Sequence, residues 1–267
     1  MALDGTVVAC VTNELDKKLS GGKINKIYQP QKDEIVLNLR SGKENYKVLF
    51  CANAGQPRVH ISDMSKENPI SAPVFSMVLR KHISGGKISR VYQPSFERIV
   101  IFEIEAFDEM GDLSKKSLIM EIMGKHSNII LVDSNGKILD SVKRITHETS
   151  SVREVLPGKE YVYPPAQGKF NPRCLDKEEF LHAALENDGL KAFEFIYKTY
   201  LGISPVTASE AAERAGISPS DYMGALDEKG KESLFTAFSE IMGLISKRQF
   251  SPEIILDPKN GNMIDFS

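Results

Sequence analysis

SGGKINKIYQPQKDEIV, residues Ser20 to Val36, returns as SGGKISRVYQPSFERIV, residues Ser84 to Val100. Ten of the seventeen aligned positions are identical at a constant offset of 64. Gly21-Gly22 and Gly85-Gly86 end the helical patterns before them, because glycine enters the left-handed backbone region without steric cost. Lys23 to Tyr28 and Lys87 to Tyr92 alternate apolar and polar residues, the period-two mark of a half-buried strand. Gln-Pro then interrupts the ladder, since proline has no amide hydrogen to donate. Upstream, Thr6 to Leu19 lies opposite Ile70 to Ile83, with apolar positions at helical spacing in both. Each unit reads as helix, glycine break, strand, turn, strand. So long a period is outside the solenoid range, and two copies predict one domain with internal pseudo-symmetry.

The chain has 267 residues, 41% of them hydrophobic, enough for one large or two ordinary packed domains. No apolar run approaches the roughly 18 residues of a membrane span, and the first residues lack the cationic-then-apolar order of a signal peptide. The expectation is a cytoplasmic protein with no membrane partner. Cys10, Cys51 and Cys174 are odd in number and form no C-x-x-C pair, so they read as buried small hydrophobes. No metal or other cofactor is expected. Net charge is +4 over residues 1–172 and −6 over residues 173–267, which permits a nucleic-acid partner for the first part without demanding one.

In chain order, Leu3 to Leu19 reads as an amphipathic helix with Asp4 as N-cap, followed by strands at about 23–28, 34–40 and 46–51. A polar loop is expected over 55–69, and the second unit begins at Pro69. Arg80-Lys81-His82 closes its helix with cations that suit the negative end of the helix dipole. SLIMEI, NIILV and KILDSV over residues 117–142 form the clearest hairpin, with a DSNG turn before the last strand. Proline and glycine accumulate from Leu156 to Pro172, which sets a domain boundary there. Beyond it, helices are expected over 177–185, 190–200, 205–215, 218–226 and 229–247, with LGISP at 201–205 as the tight turn of a helix-hairpin-helix. Such a turn binds phosphate through helix N-terminal amides or packs against protein; the acidic balance favours packing. Residues 251–267 read as two short strands with no closing element, and the expectation is that the polypeptide continues.

Two places carry candidate chemistry. Glu97-Arg98 sits at the entrance of a strand, just past the second Tyr-Gln-Pro, where the first copy has Asp33-Glu34. Position 98 therefore reverses charge between the copies, as a site would require and as a surface salt bridge would also produce. The second place is Met123-Gly124-Lys125-His126-Ser127. A simple reversal needs no lysine, histidine and hydroxyl together, whereas a phosphate or ribose site would use all three as donors, and Gly124 would admit a close backbone approach.

With Ala2-Leu3-Asp4-Gly5, Thr12-Asn13-Glu14-Leu15, Leu79-Arg80-Lys81-His82 and above all the run Glu121 to Asp133, EIMGKHSNIILVD, the chain resembles the N-terminal region of the NFACT family. That family includes RqcH-like ribosome-quality-control factors and the proteins called fibronectin-binding protein A. The resemblance implies an α+β fold, a β-sandwich with flanking helices like the N-terminal domain of formamidopyrimidine-DNA glycosylases, over residues 1–172. A helix-hairpin-helix domain follows over 173–267. The glycosylases' N-terminal proline and glutamate and their zinc-binding cysteines have no counterpart here, so the implied role is recruitment and not catalysis.

What the resemblance implies as partners is a tRNA and a large ribosomal subunit carrying a stalled nascent chain, with untemplated addition of C-terminal residues, alanine in bacteria. A surface adhesin that binds fibronectin is the alternative. The family's Asp-Arg pair falls on Glu97-Arg98, and its Glu-Ile-Met motif on Glu121, Ile122 and Met123. Arg98, Lys125 and His126 are the expected donors to RNA, Glu97 and Glu121 the orienting acceptors, and Ser127 and Asn128 polar support. Ile122 and Met123 shape the site by packing or belong simply to the core. Glutamate at 97 keeps the family's charge and adds a methylene.

Overall fold

The computed structural model describes residues 3–108, 110–150, 152–165 and 168–266. Helix α1 (Gly5–Leu19) starts at the expected cap: Asp4 Oδ1 accepts from Val7 N at 2.9 Å. Strands β1 (Lys23–Tyr28), β2 (Glu34–Ser41), β3 (Glu44–Cys51) and β4 (Arg58–Ile61) follow. The second unit then supplies α2 (Val74–Ile83), β5 (Lys87–Tyr92), β6 (Ile99–Phe107) and β7 (Leu113–Glu121), with β8 (Asn128–Val132) and β9 (Ile138–Ser141) completing the sequence. Among the described residues these nine strands form one antiparallel sheet in the order β4-β3-β2-β1-β5-β6-β7-β8-β9.

The sheet folds over at its middle, where β1 meets β5, so its two halves face each other as the expected sandwich. Phe50 of β3 and Phe102 of β6 meet in the core with ring centroids 4.8 Å apart. The seam is reciprocal. Gly21 N donates to Ile88 O at 2.8 Å and Gly85 N to Ile24 O at 2.9 Å, while Ile24 N donates to Gly86 O and Ile88 N to Gly22 O. Each bond has its partner 64 residues away, and the two β-bulges, between Ile24 and Lys26 and between Ile88 and Arg90, obey the same offset.

Each helix crosses to the other unit's strand. Asp16 Oδ1 accepts from Val91 N at 2.9 Å, and at the equivalent place Arg80 Nε donates to Ile27 O at 2.9 Å. One half thus satisfies an orphan amide with an acid, the other an orphan carbonyl with a cation. The two Tyr-Gln-Pro runs are likewise exchanged: Gln29 accepts from Ser76 N near the start of α2, and Gln93 Nε2 donates to Gly5 O at the start of α1. A second apolar layer, Ile99, Ile101, Ile119, Ile130, Ile138 and Val155, covers the outer face of β6 to β9. Burial on both faces is why those strands read as unbroken apolar runs.

The rest is helical: α3 (Lys177–Glu186), α4 (Ala192–Thr199), α5 (Pro205–Arg214) and α6 (Glu228–Ser246), then a small hairpin of β10 (Ile254–Leu256) and β11 (Met263–Phe266). Its core of Phe180, Phe195, Phe238 and their neighbours also takes in Ala9 and Phe96 from the sandwich. The turn between α4 and α5 docks on the start of α1, with Gly5 N donating to Gly202 O at 2.6 Å and Thr207 Oγ1 to Asp4 Oδ2 at 2.8 Å. Here the hairpin packs against protein.

Three expectations need correction. The loop expected at 55–69 contains β4, which pairs with β3 through Val48 and Ile61, Phe50 and Val59. Residues 218–226 form turns and one short 3-10 turn at Met223–Ala225, because Met223 N and Ala192 N bond back to Leu190 O and Asp221 O. Of the three cysteines only Cys51 is buried; Cys10 is half-buried and Cys174, in the turn that enters the helical part, is exposed.

Candidate nucleic-acid interface

The two stretches singled out in the sequence meet at one end of the sheet. Ile99, the first residue of β6, pairs with Glu121, the last of β7, and Ile122 N donates to Arg98 O at 2.8 Å. Arg98 therefore lies beside the loop from Met123 to Ser127. That loop is a 3-10 turn over Gly124–His126, and Gly124 has φ +55, a conformation that itself calls for glycine.

The loop is pinned by buried groups. Ile122 enters the sandwich core and Met123 packs on the outer apolar layer, so the two side chains clamp the turn from opposite faces of the sheet. Ser127, fully buried, accepts from Met123 N at 2.7 Å. Asn128, also buried, accepts from Ile129 N and Lys143 N and donates to Lys143 O. With these groups satisfied inside, Lys125 and His126 are left exposed on the turn, with no hydrogen bond or ion pair from their side chains among the described residues.

Glu121 does not reach this edge. Its carboxylate is wholly buried, paired with Arg153 Nη2 and accepting from Tyr161 Oη at 2.9 Å. Burial works against the Arg153 charge, but the hydrogen bond and charge of Glu121 reverse it and hold the guanidinium above its ordinary value. Burial and the same carboxylate push the Tyr161 phenol well upward, which keeps it a donor. Glu121 is thus an internal anchor for the end of β7. Arg153 and Tyr161 escaped the sequence reading, because a pair 32 residues apart leaves no mark in local periodicity.

Glu97 and Arg98 are half-buried. Burial pushes the Glu97 carboxyl up, against the smaller downward pull of Arg98 and of Lys169, a third cation that the sequence reading passed over in the proline-rich boundary. Burial, with Arg98 nearby, holds the Lys169 ammonium down, and its Nζ donates to Tyr197 O at 2.8 Å. Gln93 ties the edge to α1, donating to both Glu97 O and Gly5 O. The Arg98 guanidinium makes no hydrogen bond or salt bridge among the described residues. In the first unit the equivalent acids are satisfied: Glu34 by Lys66 at 2.7 Å and Asp33 by Asn53 at 3.2 Å. The charge reversal at position 98 is therefore not half of a surface salt bridge. Among the described residues no His, Cys, Asp and Glu cluster could hold a metal ion, and no helix is long and apolar enough to cross a membrane.

Fold and edge together define a two-module α+β protein whose duplicated sandwich is locked to a helical unit and presents unpaired cations on a buried scaffold. The chain belongs to the NFACT family: the pattern described as NFACT N-terminal and middle domains matches residues 4–267. It is similar to the Rqc2 homolog RqcH of Bacillus subtilis, 36% identical over 95% of this chain and 43% of that protein. The Rqc2 homolog RqcH of Streptococcus suis is 38% identical over 81% of this chain and 39% of its own length. The chain thus spans less than half of these relatives. Among solved structures, the fibrinogen binding protein from Staphylococcus aureus superposes with a TM-score of 0.80 and 29% identity, over 100% of this chain and 90% of that one. The N-terminal part of the fibronectin/fibrinogen-binding protein from Streptococcus suis gives 0.75 and 33%, over 88% and 85%.

Proposed function

We propose that the edge formed by Arg98, Lys125, His126 and Lys169 binds tRNA, within a ribosome-associated quality-control factor. In that reading the factor recruits tRNA, alanyl-tRNA in bacteria, to large subunits with stalled nascent chains for untemplated C-terminal tailing. Peptide transfer belongs to the ribosome, and the place of work is the cytoplasm. The observation that carries the reading is the Arg98 guanidinium, held at a strand entrance without a hydrogen-bond or ion-pair partner among the described residues. A planar cation in that state suits bidentate recognition of phosphate or of a base edge. Glu97, next to it, orients the guanidinium or accepts from a ribose hydroxyl. Ile122, Met123, Ser127 and Asn128 hold the loop, and Glu121 acts through Arg153 and Tyr161. The relatives named Rqc2 homologs support the same reading.

The test is fluorescence anisotropy of labelled bulk tRNA with this chain at several salt concentrations, wild type beside Arg98→Ala. Arg98→Ala is expected to weaken binding about tenfold and to reduce the slope of log affinity against log salt by about 0.7–0.9, one phosphate contact. A folded variant that binds as tightly as wild type sinks the assignment of Arg98. The names of the solved relatives support a second reading, binding of fibronectin. Saturable fibronectin binding by a chain with no affinity for tRNA would favour it.

A further inference from the structure

Between the sandwich and the helical unit lies a cleft of about 130 Å³ that the tRNA reading does not use. Its floor is the face of α1 that carries Thr12 and Asn13, its sides include Arg173 and Gln93, and Arg248 stands just past the end of α6.

Two buried polar atoms of the residues that form this floor have no partner among the described residues. Thr12 is only 6% exposed, and its Oγ1 makes neither the back-bond to the preceding helical turn usual for threonine nor any other hydrogen bond. Asn13 Oδ1 is buried and equally without a partner. Buried polar groups are otherwise almost always satisfied, and these two oxygens belong to neighbouring residues of one cleft wall, where a small turn of either side chain brings it to a donor seated in the cleft.

The charges facing them are two guanidiniums and one carboxylate. Arg173 donates to Gln93 Oε1 at 2.9 Å and lies over the Phe96 ring at 5.6 Å, which fixes its plane; its other guanidinium donors have no partner among the described residues. Arg248 adopts φ +56 where a helix end ordinarily takes glycine, so an arginine occupies a conformation that favours a residue without a side chain. Asp16, the carboxylate, has Oδ1 committed to Val91 N and Ser20 Oγ, and Oδ2 lies 3.7 Å from Arg248. One net positive charge remains, and Arg173 and Arg248 repel each other: burial first, then Arg248, holds Arg173 below its ordinary value. An anion seated between them relieves that repulsion.

We infer that this interdomain cleft binds a phosphate group, held by Arg173 and Arg248, with a neighbouring hydroxyl or amine of the same ligand donating to Asn13 Oδ1 and meeting Thr12 Oγ1. The phosphate comes from a free mononucleotide or from a polynucleotide chain. The unpartnered floor requires a donor beside the phosphate, which a ribonucleotide supplies in either form.

Calorimetric titration of this chain with inorganic phosphate and with AMP, and anisotropy with tRNA, distinguish the sources. The variants are Arg248→Ala, at an exposed side chain, and Asn13→Asp, which removes no volume and adds a charge that repels phosphate. Lys43→Ala, in the exposed turn between β2 and β3, controls for lost charge. Thermal unfolding confirms that each is folded. One-to-one binding of AMP, weakened at least tenfold in both cleft variants and unchanged in the control, establishes a mononucleotide site. No binding of phosphate or AMP, with tRNA affinity lowered several-fold in both cleft variants alone, places an RNA phosphate there. Absence of binding by every probe, or equal binding by all folded variants, overturns the inference and leaves a hydrated cleft. Because neither variant touches the Arg98 edge, a failure here is separable from a failure of the tRNA reading.

Discussion

Replacing Gly202 by alanine tests how the helical unit is fastened to the sandwich. Gly202 has φ +68, and a Cβ built there would lie 2.1 Å from the backbone oxygen of Phe96, 2.9 Å from its ring and 3.2 Å from Gly5 Cα. Two costs add. The left-handed backbone costs an ordinary residue about 1–2 kcal/mol, and forcing a methyl into a filled contact typically costs about 1–3 kcal/mol. The neighbour cannot swing aside: it is backbone, and the Phe96 ring is buried in the helical core. The expected loss is therefore about 2–5 kcal/mol. Gly216 supplies the comparison, because it has φ +73 with nothing within 4 Å of a built Cβ, so Gly216→Ala carries the backbone cost alone. Urea unfolding followed by circular dichroism measures both. The clash predicts that Gly202→Ala loses about 1–3 kcal/mol more than Gly216→Ala, the range for overpacking. The helical unit should also unfold first, as a separate transition. Equal losses in the two variants would refute the claim that contact with Phe96 locks the modules.

Glu121→Gln removes the charge facing buried Arg153 and is expected to lower stability by about 3 kcal/mol, as breaking a buried pair does; the double change Glu121→Leu with Arg153→Met should lose less in the same urea titration. A single change costing under about 1 kcal/mol would mean that water reaches the pair. Glu97 has a carboxyl pKa raised by burial, so its uncharged form is the one the fold favours. Its contribution is complete below the usual carboxylate value of about 4.3 and is lost as pH rises through the raised folded value. Glu97→Gln should therefore become more stable relative to wild type from about pH 4.5 upward, and a flat difference across that range in thermal melts would argue against it.

The duplication made the sandwich readable because the features that define it are local. Glycine pairs end helices, and alternation sets strand faces, within a few residues of themselves. The exchange of helices between units was not readable: Asp16 and Val91 are 75 residues apart, and neither residue type announces the other. The strand Arg58–Ile61 was missed because four residues after a proline give too short a run to separate alternation from a loop. At the candidate site, the pairing of Arg98 with the 123–127 loop is legible once β6 and β7 are taken as neighbours. The inward turn of Glu121 is not, since a strand-end carboxylate reads the same whether it faces water or a buried arginine.

The exchange of helices also fixes an order of events during synthesis. Helix α1 is made before β5, yet Asp16 waits for Val91, and Gly5 for Gly202, before its bonds can form. At about 5–20 residues per second, the first wait lasts several seconds and the second longer still. In that interval Val8, Leu15 and Leu19, all fully covered in the finished fold, lack the cover of β5 and β6 and have only the strands of their own unit to pack on. Non-local closure of this kind slows folding. A nascent chain that stops short of Val91 carries a partly uncovered apolar helix, the kind of segment that proteases and chaperones engage first.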